Sequence, residues 1–215
     1  MRIKISLMLL ILISFLNMGA ISKQQMINKS FYEIENSMLN KSQFEENGVK
    51  IQFKTKRSIE EEYLLIKQNL INNIQGIYSE VDKNKFGILN NNFNISANLW
   101  SVDNYTYVEV ILINTNSEYK IEYLQNILKT LSDKTSENIQ MFLYYKGKVE
   151  NISSDKFRNW LNASQDIKDL DIIEINNGYT GTGSLKDGEK VNFALSNYNT
   201  DSYVIIATPI VFTTY

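Results

Sequence analysis

Two alternating runs in the middle of the chain restrict its architecture more than anything else in it. Phe93, Ile95, Ala97 and Leu99 are apolar, while Asn92, Asn94, Ser96 and Asn98 between them are polar. Only an extended strand, whose successive side chains point to opposite faces, gathers those four apolar groups on one side. Asp103-Asn104 then offers a short turn, and Val108, Val110 and Leu112 resume the alternation. The spacing predicts an antiparallel pair with one face packed and the other wet. Asn92, Asn94, Ser96 and Asn98, with Trp100 at the end, form that wet face. Such a row suits a sugar or a peptide, and it is also the ordinary dress of a solvated sheet.

The flanking sequence supplies helices to cover the packed face. Ile27, Phe31, Ile34 and Met38 recur at helical spacing and predict an amphipathic helix over about 24–40. Val49, Ile51 and Phe53 alternate with lysines and a glutamine, as in a half-buried strand. Ser58 and Glu61 make a capping box, with a stripe behind it of Tyr63, Ile66, Leu70, Ile74 and Ile77. A polar turn is expected from Asp82 to Gly87. In the second half Ser117 is placed to cap a helix carrying Ile121, Leu124, Leu128 and Leu131, and Ile139, Met141 and Leu143 mark a strand. Ser153 is placed to cap a short helix with Phe157, Trp160 and Leu161. Strands are expected near 169–176, 191–198 and 202–212. The order is α+β: antiparallel sheet packed on helices, with a possible αβαββ duplication. It fits one compact unit over 23–215, or two joined lobes, 23–115 and 116–215.

Composition removes whole classes of chemistry. The 215 residues include no histidine and no cysteine. Imidazole bases, thiolate nucleophiles, disulfides and Cys/His zinc sites are therefore excluded. With 43% hydrophobic and 21% charged residues the chain is a folded globule. Its formal charge is −2, and nucleic-acid binding, which needs clustered cations, is not expected. Neither a cofactor nor a metal is expected.

The chain opens MRIKISLMLLILISFLNMGAISKQQ. Arg2 and Lys4 precede an apolar stretch from Ile5 to Leu16, shorter than the ~20 residues that span a membrane. Ala20-Ile21-Ser22 then fits a small-x-small cleavage site. Residues 1–22 are expected to be a secretory signal, cleaved after Ala20 or Ser22 or kept as an N-terminal anchor. Its loss takes Arg2 and Lys4 from 22 basic side chains and none of the 24 acidic ones, leaving a formal charge of −4. The expected location is extracytoplasmic, with membrane contact only through this segment.

Several short motifs have plain structural readings. Ser117-x-x-Lys120 and Ser153-x-x-Lys156 fit the serine–lysine pattern of penicillin-binding proteins, but both serines stand where helices need caps. Asp82 to Gly87 starts like a calcium loop, yet Phe86 and Phe93 occupy two ligand positions. Glu60, Glu61 and Glu62 suit the positive end of a helix. Gly178, Gly181 and Gly183 read as a strand-to-hairpin connection, with Lys186-Asp187-Gly188 as the hairpin tip.

The last forty or so residues resemble the C-terminal pattern of the YwmB family. The match rests on Asn177, Gly178 and Tyr179, on Asn192, and on Thr208-Pro209 and Tyr215. That family comprises small secreted proteins of Gram-positive bacteria, labelled TATA-box-binding-like for their fold. The resemblance implies an α+β fold outside the cytoplasm, and it brings no catalytic residues. Asn177, Gly178, Tyr179, Asn192 and Trp100 are the candidate ligand-surface residues. The expected role is non-enzymatic binding of an envelope protein or cell-wall component. The alternative is a hydrolase or transferase acting on wall material with acids drawn from Asp169, Asp171, Glu174, Asp187 and Glu189. Within 202–212, which is almost wholly apolar, Pro209 is expected at a sheet edge or bulge, because it lacks a ladder donor.

Overall fold

The computed structural model describes residues 29–150, 159, 161, 167–198 and 201–212. The proposed signal segment and Ser153 lie outside them. Three helices and ten strands are described: α1 (Lys29–Leu39), β1 (Gln43–Thr55), α2 (Ile59–Asn73), β2 (Ile77–Asp82), β3 (Lys85–Leu89), β4 (Phe93–Val102), β5 (Tyr105–Asn114), α3 (Ile121–Lys129), β6 (Glu137–Val149), β7 (Ile167–Ile175), β8 (Gly178–Leu185), β9 (Lys190–Asn197) and β10 (Ser202–Thr208). All ten strands join one sheet in the order β2-β3-β4-β5-β1-β6-β10-β9-β8-β7. Every neighbouring pair is antiparallel. The fold is α+β and dominated by this sheet.

The order has an internal regularity. From the outer edge inward the first five strands run β2-β3-β4-β5-β1 and the second five run β7-β8-β9-β10-β6. The two sets meet along the β1–β6 ladder, where Val49 pairs with Leu143 and Ile51 with Met141. The 115/116 division falls between β5 and α3, and the sheet crosses it unbroken. Each set holds four strands after its first, more than the αβαββ order expects.

Alternation decides the packed face. Phe93, Ile95, Ala97 and Leu99 of β4 and Val108, Val110 and Leu112 of β5 are buried, as their spacing predicts. Phe31, Ile34 and Met38 of α1, Ile66 and Leu70 of α2, and Ile121, Leu124 and Leu128 of α3 join them in one core. The three helices thus cover one side of the sheet. No described helix is long and apolar enough to cross a membrane.

Helix ends show where local chemistry acts. Ser58 and Glu61 form the reciprocal capping box at α2. Its stripe does not reach Ile77: the helix stops at Asn73, and Ile77 stands 76% exposed in β2. A Cβ at Gly76 would lie 2.9 Å from the Leu89 carbonyl oxygen, so glycine lets β2 close on β3 there. Asp82 to Gly87, expected as a turn alone, is a hairpin with Asn84 at φ 63°. Ser117 is not the cap of α3. That helix begins after Lys120, whose side chain makes no capping bond. Glu35 of α1 replaces it: both carboxylate oxygens accept from the Ile121 N–H at 3.1 Å, and Asn47 Nδ2 donates to Glu35 Oε1 at 2.7 Å. A carboxylate at a helix N-terminus meets the dipole's positive end. Burial pushes the Glu35 carboxyl up, against the pull of those donors.

Candidate binding face

Among the described residues, the opposite side of the sheet is free of helix. Register fixes what it displays. Trp100 of β4 pairs with Tyr107 of β5, and Tyr107 with Lys54 of β1. One step along the strands, Asn98 pairs with Glu109 and Glu109 with Gln52; the next row is Ser96, Ile111, Lys50 and Phe142. Beyond it run Asn94, Ile113, Gly48, Tyr144, Ala207 and Asn192. The first set of strands therefore contributes aromatic and polar groups; in the second, β6 adds Phe142 and Tyr144, and β8, β9 and β10 add small groups such as Thr180, Ala194, Ser196 and Ala207.

Specific contacts organise these groups. The Trp100 and Tyr107 rings stack at 5.7 Å between centroids, 11° from parallel. Lys54 Nζ lies 3.9 Å from the Tyr105 ring centroid and 3.7 Å from Glu137 Oε2. Lys50 Nζ sits 4.3 Å from the Phe142 centroid and 3.7 Å from Glu109 Oε2, and Gln52 Nε2 donates to the same glutamate oxygen. Burial lowers the Lys50 pKa, and Glu109 opposes that shift. Tyr144 Oη donates to Glu46 Oε1 at 2.5 Å. Cations over aromatic faces and paired acids give a surface that is charged yet internally matched.

The end of the chain also reaches this face. The β10 ladder stops at Thr208, opposite Leu143, and the Thr208–Pro209 peptide is cis. Pro209 is therefore neither an edge nor a bulge residue of β10, which is an interior strand between β6 and β9. The strand expected over 202–212 ends four residues early. Val211 and Phe212 instead pack on Tyr144, Ala194, Ile205 and Ala207, with Ile113 beside them.

The five residues singled out from sequence do not form one site. Trp100 and Asn192 share the helix-free face, but β4 and β9 are five strand steps apart, about 24 Å. Asn192 Nδ2 donates to the Pro209 carbonyl and so ties the chain end to β9. Tyr179 packs against the main core on the helix side. Asn177 accepts from the Asn197 N–H at 2.6 Å in the turn before β8. Gly178 has φ 150°, and a Cβ there would lie 1.8 Å from the Leu195 carbonyl oxygen. These motif residues lock strands together.

The acids of the enzymatic alternative are also dispersed. Asp169, Asp171 and Glu174 are exposed along edge strand β7. Glu174 pairs with Tyr179, seven residues of strand from the Ile167–Leu185 pair beside the hairpin tip, about 23 Å. Glu189 at that tip is half-buried, and burial, with Asp187 adding, raises its carboxyl to about 6. No described group of three or more acids could hold a metal ion.

Sequence reasoning passed over Tyr107, Lys50, Phe142, Tyr144 and Phe212. A signal existed for the first four. Once Val108 and Val110 are assigned to the packed face, Tyr107 and Glu109 must lie on the other. In β6, Phe142 and Tyr144 alternate with equally apolar Met141, Leu143 and Tyr145, the mark of a strand covered on both faces.

No family model matches the chain, and no curated protein does. Among solved structures, the crystal structure of DynU16, described as a putative protein in the dynemicin biosynthetic locus, aligns with a TM-score of 0.25 and 8% identity. The alignment covers 75% of this chain and 86% of that one. Similarity at that level carries no argument about function.

Proposed function

We propose that this protein is an exported, non-enzymatic binding protein of the bacterial cell envelope, YwmB-like in family, which holds its ligand on the helix-free face of the sheet. The observation that carries the reading is the Trp100–Tyr107 stack set beside Asn98, Glu109, Gln52 and Lys54. Aromatic faces take up the apolar side of a sugar ring or an extended peptide, and flanking polar groups fix its orientation. The absence of histidine and cysteine and the signal-like N-terminus support the same reading. The matching strand order of the two halves supports a duplicated five-stranded unit.

The test is co-sedimentation of residues 23–215 with purified peptidoglycan and pull-down from envelope extracts. Trp100→Ala and Tyr107→Ala should each weaken retention about tenfold while leaving the melting temperature nearly unchanged. Retention that both variants preserve would place binding elsewhere. Turnover of wall material without stable binding would favour the carboxylate hydrolase or transferase instead. That alternative needs two acids facing one cleft, and its foothold here is the raised Glu189.

A further inference from the structure

The residues under the chain's end are better buried than the segment that covers them. Phe142 and Tyr144 are 1% exposed, Ile205 is 1% and Ala207 is 0%, yet in the segment that ends over them Ile210 is 43% exposed and Val211 and Phe212 are only half-buried. Among the described residues, the hydrogen-bonded tie of this segment to the sheet is Asn192 to the Pro209 carbonyl. For Val211 and Phe212 the described contacts with the sheet are side-chain packing. Phe212 meets Phe142 at 6.4 Å and 70° and Tyr144 at 5.8 Å and 63°, edge to face in both cases. Lys50 Nζ lies 4.3 Å from the Phe142 centroid and 5.6 Å from that of Phe212, so one cation serves a ring of the floor and a ring of the cover.

We propose that the face has a seat for an aromatic side chain over the β1–β6 seam. The chain's own C-terminal segment fills it in cis with Phe212, and an extended partner peptide bearing an aromatic residue among β-branched neighbours fills it in trans. The occupant defines the chemistry. It is a short extended segment, Pro209-Ile-Val-Phe212, whose ring takes edge-to-face contacts and a share of the Lys50 charge. Leaving the seat breaks few backbone bonds, but it bares apolar floor that needs another cover. A strap with these properties opens locally while the sheet stays folded, and it opens to a ligand that brings its own ring. The proposal rests on the reading that the helix-free face is a binding surface, and it adds the class of partner and a device that guards the site.

A strap on so short a tether acts at an effective concentration on the order of millimolar, so a free peptide meets a mostly occupied seat. The experiment titrates a fluorescent peptide of residues 207–215 into three proteins: residues 23–215 intact, the same chain ending at Ile210, and the intact chain with Phe212→Ala. Shortening at Ile210 leaves β10 and the Asn192 tie in place. Binding to the shortened chain and to Phe212→Ala should be at least about tenfold tighter than to the intact chain. A peptide with Ala in place of its Phe should lose that gain. Equal affinity for all three proteins overturns the proposal. So does failure of both altered chains to fold, since the segment would then be core and not strap. Pairing of the shortened chain with itself without peptide uptake overturns it too, in favour of a second copy as occupant. No wall material enters the assay, so its outcome and the peptidoglycan result are read separately.

Discussion

Arg57 shows how much one side chain can hold. Its Nη1 donates to Glu62 Oε2 at 3.0 Å, its Nη2 bonds Asp133, and Glu62 is 1% exposed. Burial raises the Glu62 carboxyl and Arg57 opposes the shift, while the same guanidinium holds Asp133 down at about 2. Arg57→Ala strands a buried carboxylate and should cost about 2–3 kcal/mol, discounted because the arginine is partly exposed. Adding Glu62→Gln should recover part of that loss in a urea-unfolding cycle. Strict additivity of the two changes would contradict the coupling. Glu189 gives a pH signature. Its folded value of about 6 lies above the ordinary 4.5, so the folded state binds the proton more tightly. The charged form is therefore penalised in the folded protein above pH 6, and the penalty fades as pH falls through 6 toward 4.5. Glu189→Gln should melt higher than the parent at pH 7.5 and equal to it near pH 4.5. A gap independent of pH would refute this. The roles of Arg57 and Glu35 were not legible from sequence, because Arg57 reaches Asp133 across 76 positions and Glu35 reaches Ile121 across 86. Asn192 and Gly178, named from the sequence as ligand-surface residues, join strands in the fold.

At the level of elements, legibility followed locality. The β4–β5 hairpin is readable because alternation and turn chemistry agree: Asp103 and Asn104 both adopt positive φ, 50° and 64°, as a two-residue hairpin turn of the primed kind requires. Valine disfavours that conformation, so Asn104→Val should lower stability by about 1–2 kcal/mol. A thermal melt checks it, and an unchanged midpoint would mean the turn does not govern the hairpin. The α2 capping box was equally plain. β2 and β3 were missed because Ile74 and Ile77 continue the helical spacing past the true end at Asn73. β8 was missed because three glycines in eight residues look like a connection; Gly181 and Gly183 instead make room for Phe193 and Ile167.

For the whole molecule, the apolar run after Asp201 announced a strand tied into the sheet, and β10 is one, from Ser202 to Thr208. Its interior place between β6 and β9 could not be read, because strand order depends on pairings far apart in sequence. Deleting 203–215 would remove β10 from between β6 and β9, and with it the buried Val204 and Ile206, each worth about 1.5–3 kcal/mol of burial. The truncated chain should be insoluble or lack a cooperative melt, and a soluble product with an unchanged melting temperature would contradict that. The same central ladder has a mechanical meaning. β1 and β10 both run antiparallel to β6, hence parallel to each other. Tension applied ahead of β1 and behind β10 drags them in opposite directions along one axis, loading the intervening bonds in shear, many at once. Tension through residues 76 and 90 peels β2 from β3 one pair at a time, starting at Ile77 and Leu89. Single-molecule pulling should find the first geometry the stronger, and equal rupture forces would contradict it. A protein anchored on one side and gripped on the other would then bear load along its stiffest line.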